Sequence, residues 1–515
     1  MLMQHLLLDA AARTPDRLAF RWVDRDRSLT YRQAVAAMEQ YAGALHEVGV
    51  GKGDRVTVFA HNGLDYLMTM FGAWRLGAIS ALVNVRYADE LDYYISDHSP
   101  KVIVYTHDMA EPVRRAVSAA RGIRHLICMD GPQDGALSLP ELLSARLPVP
   151  QDPGDESAIA HLSYTSGTSG KPKGACLSHE PTARACRCIA ERLRITAADV
   201  SFGPTALSSS YQLVGNLLPP LSCGATINVA RHWSRSSGWQ AIDDLGVTMF
   251  MANPTLLGEV LIESRRRGRP PGKLRFAMSG GGPVPPTLKG SWRDERKVPL
   301  VESYGQSELG GFVALGEPAL PSEADLNRIG RPLPDKEVRI FDDSDRVVAC
   351  GGVGEIVLRG GFMSGYWNKP EKTAHALRGG WLHTGDAGTI DNDGYVTMRG
   401  RFSERVTVAG EVWFPRDIEE ALALHSAVKE AAVIGIPDSR LGQQPKAFVT
   451  LVEGREALPE ELHASIRGKV RYDLSLLEVT IIDSFPMTPT GKIAKVELLA
   501  RARPAVSTGQ DRAVG

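Results

Sequence analysis

Cysteine is scarce in this chain and never grouped for chemistry. There are six in 515 residues, Cys186 and Cys188 are the one close pair, and no CxxC occurs. No Cys/His set has zinc-finger spacing, which excludes a structural zinc module. Reduced, mostly buried thiols in a cytoplasmic protein are the expectation. Excess charge is missing too: 59 Lys plus Arg stand against 60 Asp plus Glu, a net charge of −1. That balance argues against nucleic acid as a partner and against a membrane surface recognised through charge. No apolar run reaches the ~18 residues of a membrane span, so none is expected. Internal repeats and low-complexity tracts are also absent. The opening "MLMQHLLLDAAARTPDR" lacks basic residues before its apolar run, and Asp9 and Arg13 interrupt it. It reads as a surface helix rather than a signal peptide.

What is present is the texture of a soluble globular protein, 43% apolar and 23% charged. Its length exceeds one ordinary hydrophobic core, so two or more domains are expected. "TYRQAVAAMEQYAGALHEVGVG" opens with Thr30 and Gln33 at capping-box spacing. It sets Val35, Met38, Ala42 and Leu45 on one face and ends in glycines, which predicts a helix. "RVTVFA" predicts a strand, residues 63–76 a helix, and "AISALVN" and "KVIVYT" further strands. This alternation predicts an α/β domain with a largely parallel sheet. After Pro332, "DKEVRIFDD", "GEIVLRG" and "GTIDNDGYVTMRGR" read as short strands with Asp/Gly turns, a β-rich subdomain. From Phe402 helix and strand alternate again over a length that suits a small separate domain. The expected organisation is a large N-terminal domain (1–401) of layered α/β subdomains plus the β-rich subdomain. A small mobile α+β C-terminal domain (402–502) and a disordered polar tail (503–515) follow.

One stretch carries chemistry. In "HLSYTSGTSGKPKGACLSHE" (161–180), seven of the ten residues 165–174 are Gly, Ser or Thr. Strands are predicted on both sides. A Walker loop needs four residues between its Gly and the Gly-Lys pair, then a helix. Here only Thr168 and Ser169 separate Gly167 from Gly170, and Pro172 follows Lys171, so this is not one. No GxGxxG follows the first strands either. Backbone N–H groups, the hydroxyls of Ser166, Thr168 and Ser169, and Lys171 and Lys173 still suit a polyphosphate. The alternative is a plain flexible surface loop.

Further along, "SGGGPVP" follows the predicted strand "KLRFAM", where glycines would let a flat ring approach the backbone. "ESYGQSELGG" gathers Tyr304, Ser307 and Glu308. "WLHTGDAG" places Asp386, read as lying in a tight turn, "GRFSER" carries Arg401, and "PMTPTGKIAK" carries Lys492. In this order the set resembles the adenylate-forming superfamily of acyl-CoA synthetases, peptide-synthetase adenylation domains and luciferases, over about residues 10–500. The loop, "TGD" and "PTGK" are specific in combination.

The resemblance implies ATP and Mg²⁺ as cofactors. Thr165, Ser166, Gly167, Thr168, Ser169, Gly170, Lys171 and Lys173 would cover the phosphates. Glu308 would hold the metal, with Ser307 in the nucleotide site. Gly280, Gly281 and Gly282 with Tyr304 would sandwich the adenine. Asp386 would take the ribose hydroxyls with help from Arg401. Lys492 would bridge the acid and the α-phosphate as charge builds. The C-terminal domain would turn about a hinge at Ser403, where the family carries Asp or Lys. A pantetheine tunnel loop usually close to "SGGEN" is here "VAGEV", which keeps Gly410 and Glu411 and changes Ala409 and Val412. In the acyl pocket a gating His is replaced by Ser209, followed by Tyr211. Asn253 would add a hydrogen-bonding group, and Gly310 and Gly311 would leave space.

The implied activity is an AMP-forming acid–CoA ligase acting on a small-molecule acid, aromatic or short and polar. The alternative keeps adenylation and changes the acceptor: a carrier-protein thiol, an amine, or nitrite activated for diazotisation of an aryl amine. A non-catalytic binding protein is disfavoured by the presence of Lys492, Glu308 and Asp386 together.

Overall fold

A computed structural model describes residues 1–118, 122–165, 171–282, 284–487 and 493–502. Ser166, Gly167, Thr168, Ser169, Gly170, Lys492 and the tail 503–515 lie outside the described residues. The chain divides into two compact units. One comprises 1–339, 357–384 and 390–397; the other comprises 340–356, 385–389 and 398 onward.

The first unit is built on two large sheets. The nine-stranded sheet runs Arg331–Pro332, Ala314–Leu315, Leu300–Tyr304, Phe276–Ser279, Met249–Met251, Val200–Phe202, Thr226–Val229, Leu18–Trp22, Arg27–Thr30. Every neighbouring pair from Leu300–Tyr304 through Leu18–Trp22 is parallel. The seven-stranded sheet runs Leu137–Ser138, His125–Cys128, Val102–Tyr105, Arg55–Phe59, Ile79–Leu82, Ile159–Tyr164, Gly174–Ser178. It is parallel except for the closing hairpin of Ile159–Tyr164 with Gly174–Ser178. Strands inside the sheets are buried on both faces: every residue of Val102–Tyr105 and of Phe276–Ser279 is buried.

The helices form for local reasons. Thr30 accepts from the Gln33 amide while the Gln33 side chain accepts from the Thr30 amide, the predicted capping box of Tyr31–Glu47. Tyr31, Ala34, Met38, Tyr41 and Leu45 bury its inner face, and Val35 lies at the margin. The neighbouring helix Leu64–Arg75 is buried on ten of its twelve residues, from Leu64 and Tyr66 through Trp74. The N-terminal helix His5–Arg13 is more than a surface element: Leu6, Leu7 and Ala10 join the main core.

Four short strands, Glu337–Phe341, Gly354–Arg359, Leu382–Ile390 and Val396–Arg401, pair in chain order, as the Asp/Gly-turn pattern predicts. The second unit holds a five-stranded sheet. Gly442–Leu451 is its central strand: it pairs with Val428–Asp438 at one edge, and also with Val406–Val408 of the short hairpin Val406–Val408/Glu411–Trp413 and with Glu478–Ile481. The helices Pro415–Ala423 and Pro459–Ser465 close one core over Trp413, Ile418, Leu422, Val433, Val449, Leu462 and Tyr472. Trp413 stacks on Tyr472 with ring centroids 4.9 Å apart. Among the described residues no helix is long and apolar enough to cross a membrane.

Candidate active site

In a parallel sheet, ligands settle outside the carboxyl ends of strands, best where the strand order reverses. In the nine-stranded sheet that reversal falls beside Val200–Phe202. The chain goes next to Thr226–Val229 on one side, then crosses to Met249–Met251 on the other. Ser209 and Tyr211 follow the first of these strands and Asn253 follows the third. Gly280 follows the next strand, and Tyr304 ends the one after that. The fold thus draws four separated motifs to the carboxyl end of one sheet.

The contacts there are close. Phe276–Ser279 and Leu300–Tyr304 run in register with Ser279 opposite Glu302, and the Ser303 hydroxyl donates to the Ser279 carbonyl at 3.0 Å. A Cβ on Gly280 would meet Ser303 Oγ at 2.3 Å and the Tyr211 ring at 2.9 Å. Gly280 is therefore obligatory packing. Added Cβ atoms on Gly281 and Gly282 would meet nothing within 4 Å, so these two keep an open backbone surface. The Tyr211 hydroxyl reaches the carbonyls of Met278 (3.3 Å) and Ala252 (3.5 Å), and burial raises its pKa. Its ring lies 6.0 Å from Phe312. Tyr211 leads into a π-helical stretch, Gln212–Leu217, a feature that recurs at functional sites. Ser209 is partly exposed at the turn before it.

The glycine-rich loop springs from the hairpin Ile159–Tyr164/Gly174–Ser178, as its flanks predict. Thr165 and Lys173 clip its base: the Thr165 amide donates to the Lys173 carbonyl at 3.0 Å and the Lys173 amide to Thr165 Oγ1 at 3.2 Å. The Ser307 hydroxyl reaches the Tyr164 carbonyl at 3.4 Å, which brings the Tyr304–Glu308 motif to the loop. Glu308 accepts from the Tyr366 hydroxyl at 2.7 Å, and the Lys173 ammonium lies over the Tyr366 ring at 4.3 Å. Lys171 lies over the Tyr93 ring at 5.1 Å.

Four residues on this surface escaped the sequence reading: Tyr366, Tyr93, Asp97 and Lys369. Tyr93 donates to the Pro172 carbonyl at 2.5 Å. Asp97 accepts from the Tyr164 hydroxyl at 2.9 Å and pairs with Lys369. His98 sits between Tyr164 (2.9 Å) and Thr57 (2.6 Å), and burial depresses its pKa to about 3. Burial and the Asp97 charge raise that of Tyr164. The available signal is the aromatic and charged content of "DYYISDH" and "GYWNKP"; in the helix of the first, Leu91, Tyr94, Ile95 and His98 form the buried face and leave Tyr93 and Asp97 off it.

Two local expectations fail, at Asp386 and at the Gly310–Gly311 pair. Asp386 is not in a turn; it lies inside the strand Leu382–Ile390, kinked at Gly385 (φ 69°). The Gly385 amide donates to Glu355 Oε1 at 2.8 Å, and Arg401 pairs with the buried Asp386 at 3.0 Å. Gly310 and Gly311 leave no free space: a Cβ at the first would meet Thr182 Oγ1 at 2.6 Å and at the second Ala185 Cβ at 2.7 Å, on the helix His179–Arg192. Asn253 uses its side-chain oxygen to cap the helix Pro254–Arg266, accepting from the Leu256 amide at 2.9 Å.

In the second unit, Ser403 is exposed in the single turn Phe402–Glu404. Lys495, three residues beyond Lys492 in sequence, pairs with Glu404 at 2.8 Å and Glu419 at 2.9 Å. Burial lowers its pKa, and the two carboxylates outweigh that and raise it. Ala409 (φ 50°) and Gly410 (φ 87°) form the exposed two-residue turn between Val406–Val408 and Glu411–Trp413. Both are left-handed, as a type I′ hairpin turn requires.

The family model for AMP-binding enzyme matches residues 7–367, and that for the AMP-binding enzyme C-terminal domain matches residues 417–492. The chain belongs to the AMP-binding enzyme family. It is thus a member of the adenylate-forming superfamily, with a mixed α/β fold in a large N-terminal and a small C-terminal domain. As an AMP-binding enzyme it is 32% identical to a feruloyl-CoA synthase of Amycolatopsis sp over 476 residues, covering 92% of this chain and 94% of the relative. It is 31% identical to a fatty acid–[acyl-carrier-protein] ligase of Streptomyces coeruleorubidus over 92% of both chains. Its fold matches that of an anthranilate CoA ligase solved with anthranoyl-AMP at a TM-score of 0.89. That match covers 98% of this chain and 97% of the other at 24% identity.

Proposed function

We propose that this AMP-binding enzyme is an ATP-dependent acid–CoA ligase for an aromatic or short polar acid. The observation that carries the reading is the junction of loop and carboxylate motif. Ser307 is bonded to the loop's incoming arm, and Tyr366 is shared by Lys173 and Glu308. This presents a cation and a carboxylate at the mouth of a loop rich in N–H and hydroxyl groups.

The chemistry has two displacements. A carboxylate oxygen of the acid attacks the α-phosphorus in line, and the bond to the β-phosphate oxygen breaks, giving acyl-AMP and pyrophosphate. A thiol sulfur then attacks the acyl carbon, AMP leaves with the bonding pair, and the thiol proton goes to solvent. The first step is mostly positioning and charge stabilisation. Residues 165–173 hold the phosphates, Gly281 and Gly282 with Tyr304 take the adenine, and Asp386 with Arg401 holds the ribose. Lys492 stabilises the charge that builds between acid and α-phosphate. Glu308 fits Mg²⁺: it is a hard oxygen donor with one oxygen already oriented by Tyr366. When bound, the ion neutralises phosphate charge. Ser209, small where the resembling family carries a gating His, and Tyr211 bound an acyl pocket at the reversal of strand order. The C-terminal domain, from about Phe402, presents the loop at Gly410 for the thiol step after adenylation.

A second reading keeps the first step and gives the acyl group to a carrier-protein thiol or an amine. Ala409 in a left-handed turn and the exposed Val412 favour it, since both stand where the tunnel loop departs from its usual sequence. One experiment tests both. Purified enzyme is given ATP, Mg²⁺ and a panel of acids, and pyrophosphate is followed with and without CoA. AMP plus acyl-CoA supports the ligase. Adenylate that accumulates without thioester supports the second reading. No acid-dependent pyrophosphate with any acid discards both.

A further inference from the structure

Tyr366 belongs to a segment that is stitched at both ends. On one side Met363 N donates to the Glu308 carbonyl at 2.7 Å, and Phe362 bridges Leu309. On the other side the segment lies along the outgoing arm of the loop hairpin. Cys176 N donates to the Gly365 carbonyl at 2.9 Å, Ser364 N to the Cys176 carbonyl at 3.0 Å, and Trp367 N to the Gly174 carbonyl at 2.8 Å. Further on, Lys369 pairs with Asp97, which holds the Tyr164 hydroxyl on the incoming arm. Tyr366 is only 8% exposed. Its ring carries the Lys173 ammonium on its face and its hydroxyl carries the Glu308 carboxylate at its tip.

These two charges have opposite sign and opposite tasks, one toward phosphate and one toward a cation. An ammonium over a ring face is held by the quadrupole, a weaker attraction than a close ion pair. A hydroxyl donated into one carboxylate oxygen fixes the group and leaves the other oxygen for a hard cation. We propose that Tyr366 is a positioning residue that keeps Lys173 and Glu308 at separate fixed places on one ring, so that both are presented to the magnesium–triphosphate complex. This rests on the nucleotide-site reading above and adds to it a residue that acts through two others.

The test is ATP binding, measured at equilibrium while Mg²⁺ is titrated, for wild type, Tyr366→Phe, Glu308→Gln and the double variant. Tyr366→Phe keeps the ring and removes only the hydroxyl. Its Mg²⁺ half-saturation should rise by about tenfold, the loss of one hydrogen bond to a charged group. The KM for the acid should stay as in wild type, and the melting temperature should fall only slightly, as one lost hydrogen bond requires. The double variant should be no worse than Glu308→Gln, because the hydroxyl acts only through that carboxylate. Tyr366→Leu should also weaken ATP binding at saturating Mg²⁺, because the seat of Lys173 is gone. A Tyr366→Phe titration that overlays wild type, or losses that add in the double variant, overturns the proposal. Acid-dependent pyrophosphate release by wild type is scored separately. Its failure discards the ligase reading, whereas the binding titration judges Tyr366.

Discussion

Glu308 and Asp386 are both carboxylates, yet they predict different failures. Asp386→Ala removes the acceptor proposed for the ribose and should weaken ATP binding by about 1–3 kcal/mol, the cost of polar partners left unpaired. Glu308→Gln should leave metal-free nucleotide binding alone and raise the Mg²⁺ requirement, because an amide is a poorer ligand for a hard cation. Separate ATP and Mg²⁺ titrations distinguish them, and an unchanged curve removes that residue from the site. Lys492→Ala should lower acid-dependent pyrophosphate release by about 10²–10³ while pre-formed acyl-AMP still reacts with CoA. Ser209→His should depress turnover of the best acid more than it depresses ATP binding, since it would fill the proposed acyl entrance. Residue types were legible in the sequence, and their surroundings were not. Asp386 beside glycines looks like a turn, but the Glu355 bond to the Gly385 amide holds the kink inside a strand. "GG" after Glu308 looks like free volume, until the helix His179–Arg192 is seen packed on it. Asn253 before a proline carries an ordinary N-cap signature, and that is what its side chain does.

Elements were more legible than sites, because their causes are local. The capping box of Thr30 and Gln33 and the strands "RVTVFA" and "KVIVYT" are read from neighbours in sequence, and all form as expected. What brings Tyr366 to Glu308, 58 residues apart, is tertiary and leaves no periodic trace. The turn Ala409–Gly410 carries an element-scale prediction. Ala409 bears a Cβ at φ 50°, and for an L-residue that conformation is costly. Ala409→Gly should stabilise the protein by about 0.5–1 kcal/mol, the strain relieved less the added freedom of the unfolded chain, read as a shift of the denaturation midpoint. A midpoint unchanged or lowered would contradict this account of the turn. Gly410 at φ 87° would strain any other residue, so Gly410→Leu must be judged by thioester formation relative to pyrophosphate release, not by total turnover. The helix Leu91–His98 gives a pH prediction. Buried His98 has its pKa depressed to about 3, and buried His161 to about 4. Above pH ~6.5 both are neutral folded or unfolded and pH has no effect through them. As pH falls from there, the unfolded chain takes protons that the folded chain refuses, so stability falls by about 1.4 kcal/mol per pH unit for each His. The melting temperature should drop between pH 6.5 and 4, and less steeply in His98→Asn.

At the scale of the whole molecule, the candidate residues divide between the two compact units. The first unit carries Lys173, Gly281, Gly282 and Glu308; the second carries Asp386, Arg401 and the Gly410 turn. The order of these motifs along the chain was enough to name the superfamily. The acid and the acceptor were not legible, because they depend on the volume and lining of a pocket whose walls come from strands far apart in sequence. The central claim is that the enzyme splits ATP between the α- and β-phosphates to activate an acid for a thiol. The most direct measurement is the product balance of one reaction containing ATP, Mg²⁺, CoA and the acid of a panel that releases most pyrophosphate. The account predicts AMP, pyrophosphate and acyl-CoA in equal amounts, with no AMP when the acid is left out. ADP and inorganic phosphate in place of AMP and pyrophosphate, or AMP formed equally without the acid, would contradict it.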